Sequence, residues 1–362
     1  MRNRSFTFAV PVILILTLGH LQQSIAIEQK EDSPLDNLPS YIRKVNEWGQ
    51  RADFSHDGKK ILFIEKTFGD AFELDLETLV TTPVTHHYYH GGYTRALYLS
   101  NGDILLSGTT SFDADNPQVN RHDRAELWVL DQSLTQPPVR LNTKCSEGPA
   151  VSRKHLRIAW TTKEAQYPDS YQKGEHRIHT GDIVYQDGIP KLVNRKVILS
   201  NITHPFFKGK PTSIETQNFI RPEETKITLS LYGYQNGSQT AIVDLETAAI
   251  QKISNVPYHH NEPEGIYPDG KYTLVESSQQ FKGERLKGAV QYIDIWKLSL
   301  DGNERWERIT HFSDFKGYKS SNPVVSDDGR YIAFQMAKLG DPAGVGRGLF
   351  LLDLKARDRL KR

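Results

Sequence analysis

The stretch PVVSDDGRYIAFQMA, residues 323–337, followed by GLFLLDLKA, residues 348–356, contains the pattern that decides the fold. An extended segment enters a tight Asp-Gly turn, which favours a close antiparallel connection, and continues into two apolar strands. The same pattern begins near residues 52, 96, 149, 218 and 265. Repeats of about 40 to 50 residues built from short strands are typical of propeller blades, because one small sheet cannot bury both of its faces alone. We therefore predict an all-β, six-bladed β-propeller.

The last repeat lacks the fourth strand that follows most of the others. Its final residues, 357–362, form a basic tail with too little apolar content for a strand. Residues 41–45, YIRKV, resemble the missing strand, and we predict that they close the ring on blade six because an unpaired sheet edge promotes aggregation. The domain organisation is then an N-terminal segment at 27–40, a propeller at 41–356 and the tail at 357–362.

The first residues have the features of a secretory signal. Arg2 and Arg4 precede an apolar run at residues 6–18, and Ser24-Ile25-Ala26 is a small-x-small cleavage site. This pattern predicts a signal peptide at 1–26, a periplasmic or secreted location, and no membrane segment after cleavage.

The composition is that of an ordinary globular protein, with 37% hydrophobic residues, 25% charged residues and a formal net charge of +1 over 362 residues. This balance gives no indication of nucleic acid as a partner, and we expect a monomer. Cys145 is the only cysteine, so an intramolecular disulfide and a metal site built on paired cysteines are excluded.

The turns SHDGKKILF, YPDGKYTLV and SDDGRYIAF, each followed by a strand such as IVDLET or FLLDLKA, resemble the WD-like propeller repeat of the TolB family. The resemblance covers nearly the whole mature chain, without the separate N-terminal domain of that family. It implies an exported propeller, and the same repeats occur in periplasmic scaffold proteins, in propeller domains of peptidases and in some polysaccharide-degrading lyases. A Gly-x-Ser-x-Gly nucleophile elbow is absent from the sequence, which argues against a serine hydrolase.

The connections between strands differ in length on the two faces of the predicted propeller. If the strands of a blade are lettered A (innermost) to D (outermost), the A-to-B turns are tight. Four B-to-C connections are long, at residues 109–124, 163–180, 279–291 and 338–347. B-to-C and D-to-A connections share one face, and binding residues concentrate in long loops on rigid scaffolds. We therefore predict a binding site on this long-loop face.

Polar side chains stand where the chain enters each A strand. Aligning the repeats places six of them at nearly equivalent positions, Arg51, Arg95, Glu147, Gln217, Glu262 and Asn322. Together with the neighbouring Glu215, His259, His260 and Glu264, they form the predicted ligand-binding set at the mouth of the central channel. Such a ring can pair its own charges across the channel or contact a ligand, and the sequence is compatible with both.

Histidines near the same positions suggest a divalent metal site. Imidazole and carboxylate groups together bind transition metals, and His90, His259 and Glu262 are the candidates. Adjacent residues of an extended strand point to opposite sides, so the pairs His86-His87 and His259-His260 each offer one ligand. No other cofactor is predicted.

Two classes of function follow from these residues. The first is a binding module that takes a protein or a glycan at the long-loop face, without chemistry of its own. The alternative is a carbohydrate-active enzyme at the channel mouth. A polysaccharide lyase would use Arg51 or Arg95 on a substrate carboxylate and His90, His259 or His260 as base, whereas a glycosidase would use the pair Glu147 and Glu262. The sequence assigns no catalytic residue between these alternatives.

Overall fold

The computed structural model describes residues 29–281, 292–341 and 344–361, and the predicted signal peptide at 1–26 lies outside them. Six four-stranded antiparallel sheets are arranged as blades around a central axis. Each innermost strand contacts the innermost strands of the two neighbouring blades, and the last contacts the first. The predicted six-bladed β-propeller is therefore confirmed.

The strands are numbered in chain order, from β1 (Ile42–Asn46). Blade one contains β2 (Gln50–Phe54), β3 (Lys60–Ile64), β4 (Ala71–Asp75) and β5 (Thr81–Pro83). Blade two contains β6 (Tyr93–Tyr98), β7 (Ile104–Gly108), β8 (Glu126–Leu130) and β9 (Val139–Lys144). Blade three contains β10 (Ser146–Val151), β11 (Arg157–Lys163), β12 (His176–Gln186) and β13 (Ile189–Ser200).

Blade four contains β14 (Ser213–Phe219), β15 (Lys226–Tyr232), β16 (Ser238–Asp244) and β17 (Ile250–Lys252). Blade five contains β18 (Asn261–Ile266), β19 (Tyr272–Ser277), β20 (Asp294–Ser299) and β21 (Trp306–Arg308). Blade six contains β22 (Tyr318–Val325), β23 (Tyr331–Lys338) and β24 (Leu349–Asp353), and β1 is its fourth strand. Helical segments are short: Pro34–Asn37, Pro117–Val119, Asn120–Arg124, Glu164–Gln166, Pro205–Phe207, Tyr234–Asn236, Phe312–Asp314 and Leu354–Leu360. No helix among the described residues is long and apolar enough to cross a bilayer.

Ring closure by the N-terminal strand is present in the structure. Strand β1 pairs antiparallel with β24, with Ile42 opposite Leu352 and Lys44 opposite Phe350. Ile42 is buried in an apolar cluster that includes Phe312, Phe350 and Leu352. Strands from the two ends of the chain therefore complete one sheet and share one core.

The core lies between neighbouring blades. The second strand of a blade is covered on both faces, so it forms a continuous apolar run instead of alternating. In blade one the run Ile61, Leu62, Phe63 and Ile64 is fully buried. Because these strands pack against the next blade, the six sheets are held together as one unit.

The C-terminal residues differ from the expected tail. Residues Leu354–Leu360 form a helix, because the side chain of Asp353 caps it by accepting a hydrogen bond of 2.9 Å from the backbone N–H of Ala356. Arg357 is buried, donates to the carbonyl of Arg308 and pairs with Glu307 at 2.8 Å. Most of the basic segment is thus a helix docked on blade five.

Candidate ligand-binding cavity

A cavity of about 550 Å³ occupies the long-loop end of the central channel, and side chains from all six blades line it. Seven of the ten predicted residues line this cavity, namely Arg51, Arg95, Glu147, Glu215, Glu262, Glu264 and Asn322. His260 does not line the cavity itself but contacts Glu262, which does: its Nε2 lies 3.0 Å from Oε2 of Glu262. Gln217 lies deeper, where its side chain donates to Oε1 of Glu262 at 3.1 Å.

A shift in register within each A strand points these side chains into the channel. The pairing of the A and B strands slips beside Arg51 in blade one, Glu147 in blade three and Asn322 in blade six. All three residues have positive φ angles, of 56°, 63° and 49°, and bulges of this kind turn a side chain away from its regular direction. In blade five the slip falls at Glu264, between Pro263 and Gly265. The register slip of blade five thus lies at Glu264, whereas the repeat alignment placed Glu262 at this position.

Glu147 is the centre of a group of positive side chains. Its Oε2 accepts from Nε of Arg121 at 2.7 Å and lies 3.6 Å from Nη2 of Arg51, and its Oε1 lies 2.9 Å from Nδ1 of His122. Burial alone would raise the pKa of Glu147, but the hydrogen bond with His122 and the charges of Arg121 and Arg51 hold it well below its usual value. Sequence reasoning missed Arg121 and His122, although both lie in the long loop 109–124.

Arg51 has a structural role in this group. Its backbone N–H donates to Oε1 of Gln335 at 2.8 Å, and its Nη1 donates to the carbonyl of Thr94 at 3.0 Å. Burial and the nearby guanidinium groups of Arg121 and Arg95 lower its pKa to about 10, so it stays protonated at neutral pH. Arg51 and Glu147 thus form the cross-channel ion pair that was one of the two interpretations of the ring.

Arg95 is held much more loosely. Within the described residues its charged partner is Glu264, at a long 3.8 Å, and its Nε is buried without a hydrogen-bond partner. A Cβ atom on Gly148 would lie 2.6 Å from that Nε, so the glycine leaves the space that the guanidinium occupies. Donors of Arg95 therefore remain available at the base of the cavity.

Two carboxyl groups share one phenol on the opposite wall. The hydroxyl of Tyr232 lies within hydrogen-bond distance of Oε2 of Glu215, at 2.9 Å, and of Oε1 of Glu262. A phenol has one proton, so it donates to one carboxylate, and the other carboxyl group must bring its own proton to the phenol oxygen. Burial, followed by the charges of Glu147 and Glu262, raises the pKa of Glu215 well above its usual value. Glu215 is therefore the carboxyl group of this pair that is more easily protonated.

Two further carboxyl groups meet at Asn322. Its side-chain amide donates to Oε1 of Glu264 at 3.2 Å, and its backbone N–H donates to Oε1 of Glu276 at 2.6 Å. Burial raises the pKa of Glu264 to about 7, against the attraction of Arg95. Glu276 was not among the predicted residues, because it lies in the second strand of blade five instead of at a strand entrance.

The arginines and the glutamates of the cavity come from different blades. Its guanidinium groups, on Arg51, Arg95 and Arg121, come from blades one and two. Its glutamates come from blades three, four and five, and they are Glu147, Glu215, Glu262, Glu264 and Glu276. Lys163 of blade three and Lys319, Lys338 and Asp341 of blade six also line the cavity, so a ligand meets hydrogen-bonding groups of both charges there.

Ion pairs close the channel toward the other face. Arg95 and Glu264 also line a narrow second cavity of about 60 Å³. Near its far end Arg153 pairs with Asp53 at 3.0 Å, and Arg221 pairs with Asp327 at 2.7 Å. These contacts join blades one, three, four and six, so a ligand larger than a few waters reaches the cavity from the long-loop face.

His56 belongs to this closing network and makes stability depend on pH. Its Nδ1 lies 3.1 Å from Oδ2 of Asp327 and its Nε2 lies 2.8 Å from the carbonyl of Leu99. Both partners accept hydrogen bonds, so only the charged imidazolium, with a proton on each ring nitrogen, can donate to both. The hydrogen bond with Asp327 raises the pKa of His56 above 6.5, against burial and the charge of Arg153.

We expect this stabilisation to be complete below the unfolded-state pKa of about 6.5 and to be lost as the pH rises through the raised folded-state pKa. A partly exposed ion pair contributes at most about 1 kcal/mol. Urea unfolding of the wild type and His56→Gln, from about pH 6 to about pH 8, measures the difference. The free energy of unfolding of His56→Gln should not fall over this pH range, whereas that of His86→Gln, a change at an exposed histidine, should fall as in the wild type. Parallel pH curves for the wild type and His56→Gln would contradict the role of His56.

The histidines proposed as metal ligands do not converge. Nε2 of His90 lies 2.9 Å from Oδ1 of Asp70, and its Nδ1 accepts from the backbone N–H of Gly92. Nδ1 of His259 lies 3.1 Å from the carbonyl of Ser278. Neither ring lines the cavity that contains Glu262. Their local hydrogen bonds hold both rings away from it, so the trio His90, His259 and Glu262 is not a site in this structure.

Comparison with known proteins adds information on the fold. No family model and no curated protein matches this chain. Among solved structures, the chain is similar to a gluconolactonase from Xanthomonas campestris, with 10% identity, a TM-score of 0.54 and coverage of 86% of this chain and 89% of that chain. It is also similar to an oligogalacturonate lyase in complex with manganese, with 11% identity, a TM-score of 0.51 and coverage of 86% and 93%.

A TolB structure from Acinetobacter baumannii also matches, with 14% identity, a TM-score of 0.42 and coverage of 86% of this chain and 66% of that chain. The matched structures thus include TolB proteins and other propellers. Identities this low show a common fold, and one fold supports both binding proteins and enzymes.

Proposed function

We propose that this chain is an exported TolB-like propeller that binds a small, carboxylate-bearing ligand, such as an acidic sugar, in the cavity on its long-loop face. The observation that carries the proposal is the cavity of about 550 Å³ lined by charged side chains from opposite sides of the ring. Ligand sites for small molecules are concave and have volumes of about 300 to 1,000 Å³. A stable protein interface, in contrast, needs about 800 Å² of complementary surface on each partner.

Arg95 supports a carboxylate as the recognised group. A guanidinium binds a carboxylate through two parallel hydrogen bonds, and Arg95 uses little of this capacity on Glu264 at 3.8 Å. Arg51 and Arg121 are less suitable, because both are already bound to Glu147. The side chains of Asn322 and the nearby glutamates would then accept or donate hydrogen bonds to ligand hydroxyl groups.

The alternative is an enzyme that acts on an acidic glycan, and the shared phenol favours it. Proton transfer requires two groups whose pKa values are driven apart. The raised pKa of Glu215 suits it to donate a proton, and Tyr232 connects it with Glu262, whose pKa is lowered because the nearby imidazole of His260 outweighs the effect of burial. The pair Glu147 and Glu262 fits a glycosidase less well, because both pKa values are lowered, whereas a general acid needs a raised pKa.

One experiment tests both functions. Galacturonate, its short oligomers, gluconate and uncharged galactose are titrated into the purified protein by calorimetry, and the ultraviolet absorbance of unsaturated sugar ends is recorded. We expect binding of a carboxylated compound and not of galactose. Arg95→Gln should weaken this binding by about 10- to 150-fold, the equivalent of one charged hydrogen-bonding interaction of about 1.5 to 3 kcal/mol.

Arg43→Gln, at an exposed position of β1, is the matched control and should bind normally. Equal affinity of Arg95→Gln and the wild type would contradict the proposed role of Arg95, and failure of every carboxylated compound would contradict the ligand class. New ultraviolet absorbance would show lyase activity, and the enzyme would then replace the binding module as the proposed function.

A further inference from the structure

We propose that His260, Glu262 and Glu276 form a binding site for a divalent transition metal on the blade-five wall of the cavity. Glu262 on β18 stands directly opposite Glu276 on β19 in the antiparallel pair. Like charges in this cross-strand position destabilise a sheet. His260 lies two residues before Glu262, and residues two apart in extended chain point to the same side. The backbone therefore places one imidazole and two carboxylates on one face, in an arrangement that a cation would stabilise.

The distances fit a shared metal ion. One ligand atom from each of the three side chains can be chosen so that all three atoms lie within 4.8 Å of one another. Two ligand atoms each about 2.1 Å from a metal and at a right angle to each other are about 3.0 Å apart. The distance between Nε2 of His260 and Oε2 of Glu262 is 3.0 Å. The third ligand atom, an oxygen of Glu276, lies within 4.8 Å of the other two.

An independent observation concerns His260. Its Nε2 is buried from solvent, and its nearest partner among the described residues is Oε2 of Glu262 at 3.0 Å, a contact that lacks the angles of a good hydrogen bond. The other nitrogen, Nδ1, lies 3.1 Å from Oγ of Ser238, which fixes the ring orientation. Metal-binding histidines commonly have this arrangement, with one nitrogen held by an outer partner and the other directed at the ion.

The carboxylates have outer partners of the same kind. The hydroxyl of Tyr232 is hydrogen-bonded to Oε1 of Glu262, and the backbone N–H of Asn322 donates to Oε1 of Glu276. In each carboxylate one oxygen is thus oriented by the protein while the other can face the metal. Partners of this type contribute about 10- to 100-fold in metal affinity.

The ligand set indicates the class of metal. One imidazole and two carboxylates suit Mn²⁺, Fe²⁺ or Zn²⁺, whereas Mg²⁺ and Ca²⁺ prefer six or more oxygen ligands. Three protein ligands leave coordination positions open toward the cavity. The inference does not depend on the carboxylate ligand proposed above, because it requires only these three side chains.

The test uses the full mature protein stripped of metal with a chelator and titrated with MnCl₂ by calorimetry, with the electron paramagnetic resonance of Mn²⁺ as a second readout. We expect one Mn²⁺ per chain. His260→Ala should reduce the affinity at least tenfold, and the isosteric Glu276→Gln should do the same while keeping the shape of the site. His86→Ala, an exposed histidine outside the cavity, is the control and should bind Mn²⁺ normally.

Circular dichroism spectra establish that each variant is folded. Absence of Mn²⁺ and Zn²⁺ binding to the wild type, or unchanged binding by both His260→Ala and Glu276→Gln, would overturn the proposal. Tighter binding of Ca²⁺ than of Mn²⁺ would overturn the class of metal. No organic ligand is present in these titrations, so their outcome is separate from that of the galacturonate experiment.

Discussion

Replacing Ile42 with aspartate is expected to lower the free energy of unfolding by at least about 3 kcal/mol, because it removes a buried aliphatic side chain and buries an unpaired charge. Ile42 is 6% exposed and packs with Phe350 and Leu352 of blade six. Its strand is the one that closes the ring. We expect the variant to expose the edge of β24 and to associate through it, which urea unfolding and size-exclusion chromatography will measure.

Arg43→Asp is the matched control for this variant. It introduces the same residue one position along the same strand, where the side chain is exposed. Successive side chains of a strand point to opposite faces, so this change should leave the stability and the elution volume almost unaltered. Equal stability of Ile42→Asp and the wild type would mean that the ring does not need β1 for closure.

The second large effect is expected for Glu147→Ala. This carboxylate contacts Arg51, Arg121 and His122, and its side chain is only 14% exposed. Removing one partner of a buried charge network leaves the others without compensation, which typically costs 3–5 kcal/mol. We therefore expect a loss of about that size in the free energy of unfolding, measured by urea at neutral pH. Part of the loss should be recovered by moderate salt, because ions then screen the repulsion between Arg51 and Arg121.

Glu47→Ala removes a carboxylate that also has an ion-pair partner, Lys44, but is 83% exposed. Exposed pairs contribute little, so this control should unfold at nearly the same urea concentration as the wild type. A similarly small effect of Glu147→Ala would show that Arg51 and Arg121 are held in place by packing and backbone contacts alone.

The repeat pattern was sufficient to predict the blades. Asp-Gly turns at Asp57-Gly58, Asp269-Gly270 and Asp328-Gly329 are followed by apolar runs whose spacing is that of adjacent strands. Turn chemistry and hydrophobic periodicity act over a few residues, so both can be read without knowledge of distant contacts. The closing strand was predictable as well, because a last blade with three strands would leave one sheet edge unpaired.

The candidate site was predictable only in outline. Symmetry brought Arg51, Arg95 and Glu147 to the channel mouth as expected, because strand entrances converge in any closed ring. The one-residue slip that selects Glu264 as the bulge residue depends on local pairing of β18 with β19. Contacts of Arg121 with Glu147 depend on how a long loop folds back over the channel. Neither of these is encoded in a short-range pattern.

The sequence by itself determined the architecture of this protein: six blades, their order, the strand that completes the ring and the face with long loops. Only the tertiary structure decided which charges are used within the protein and which remain for a ligand. Arg51 and Arg95 have the same residue type and nearly equivalent positions in the repeat alignment. Among the described residues, however, Arg51 is bound by Glu147 and a backbone carbonyl, whereas Arg95 has one long ion pair. The physical reason is that strand formation depends on near neighbours, whereas the state of a buried charge depends on every polar group that the fold brings within a few ångströms of it.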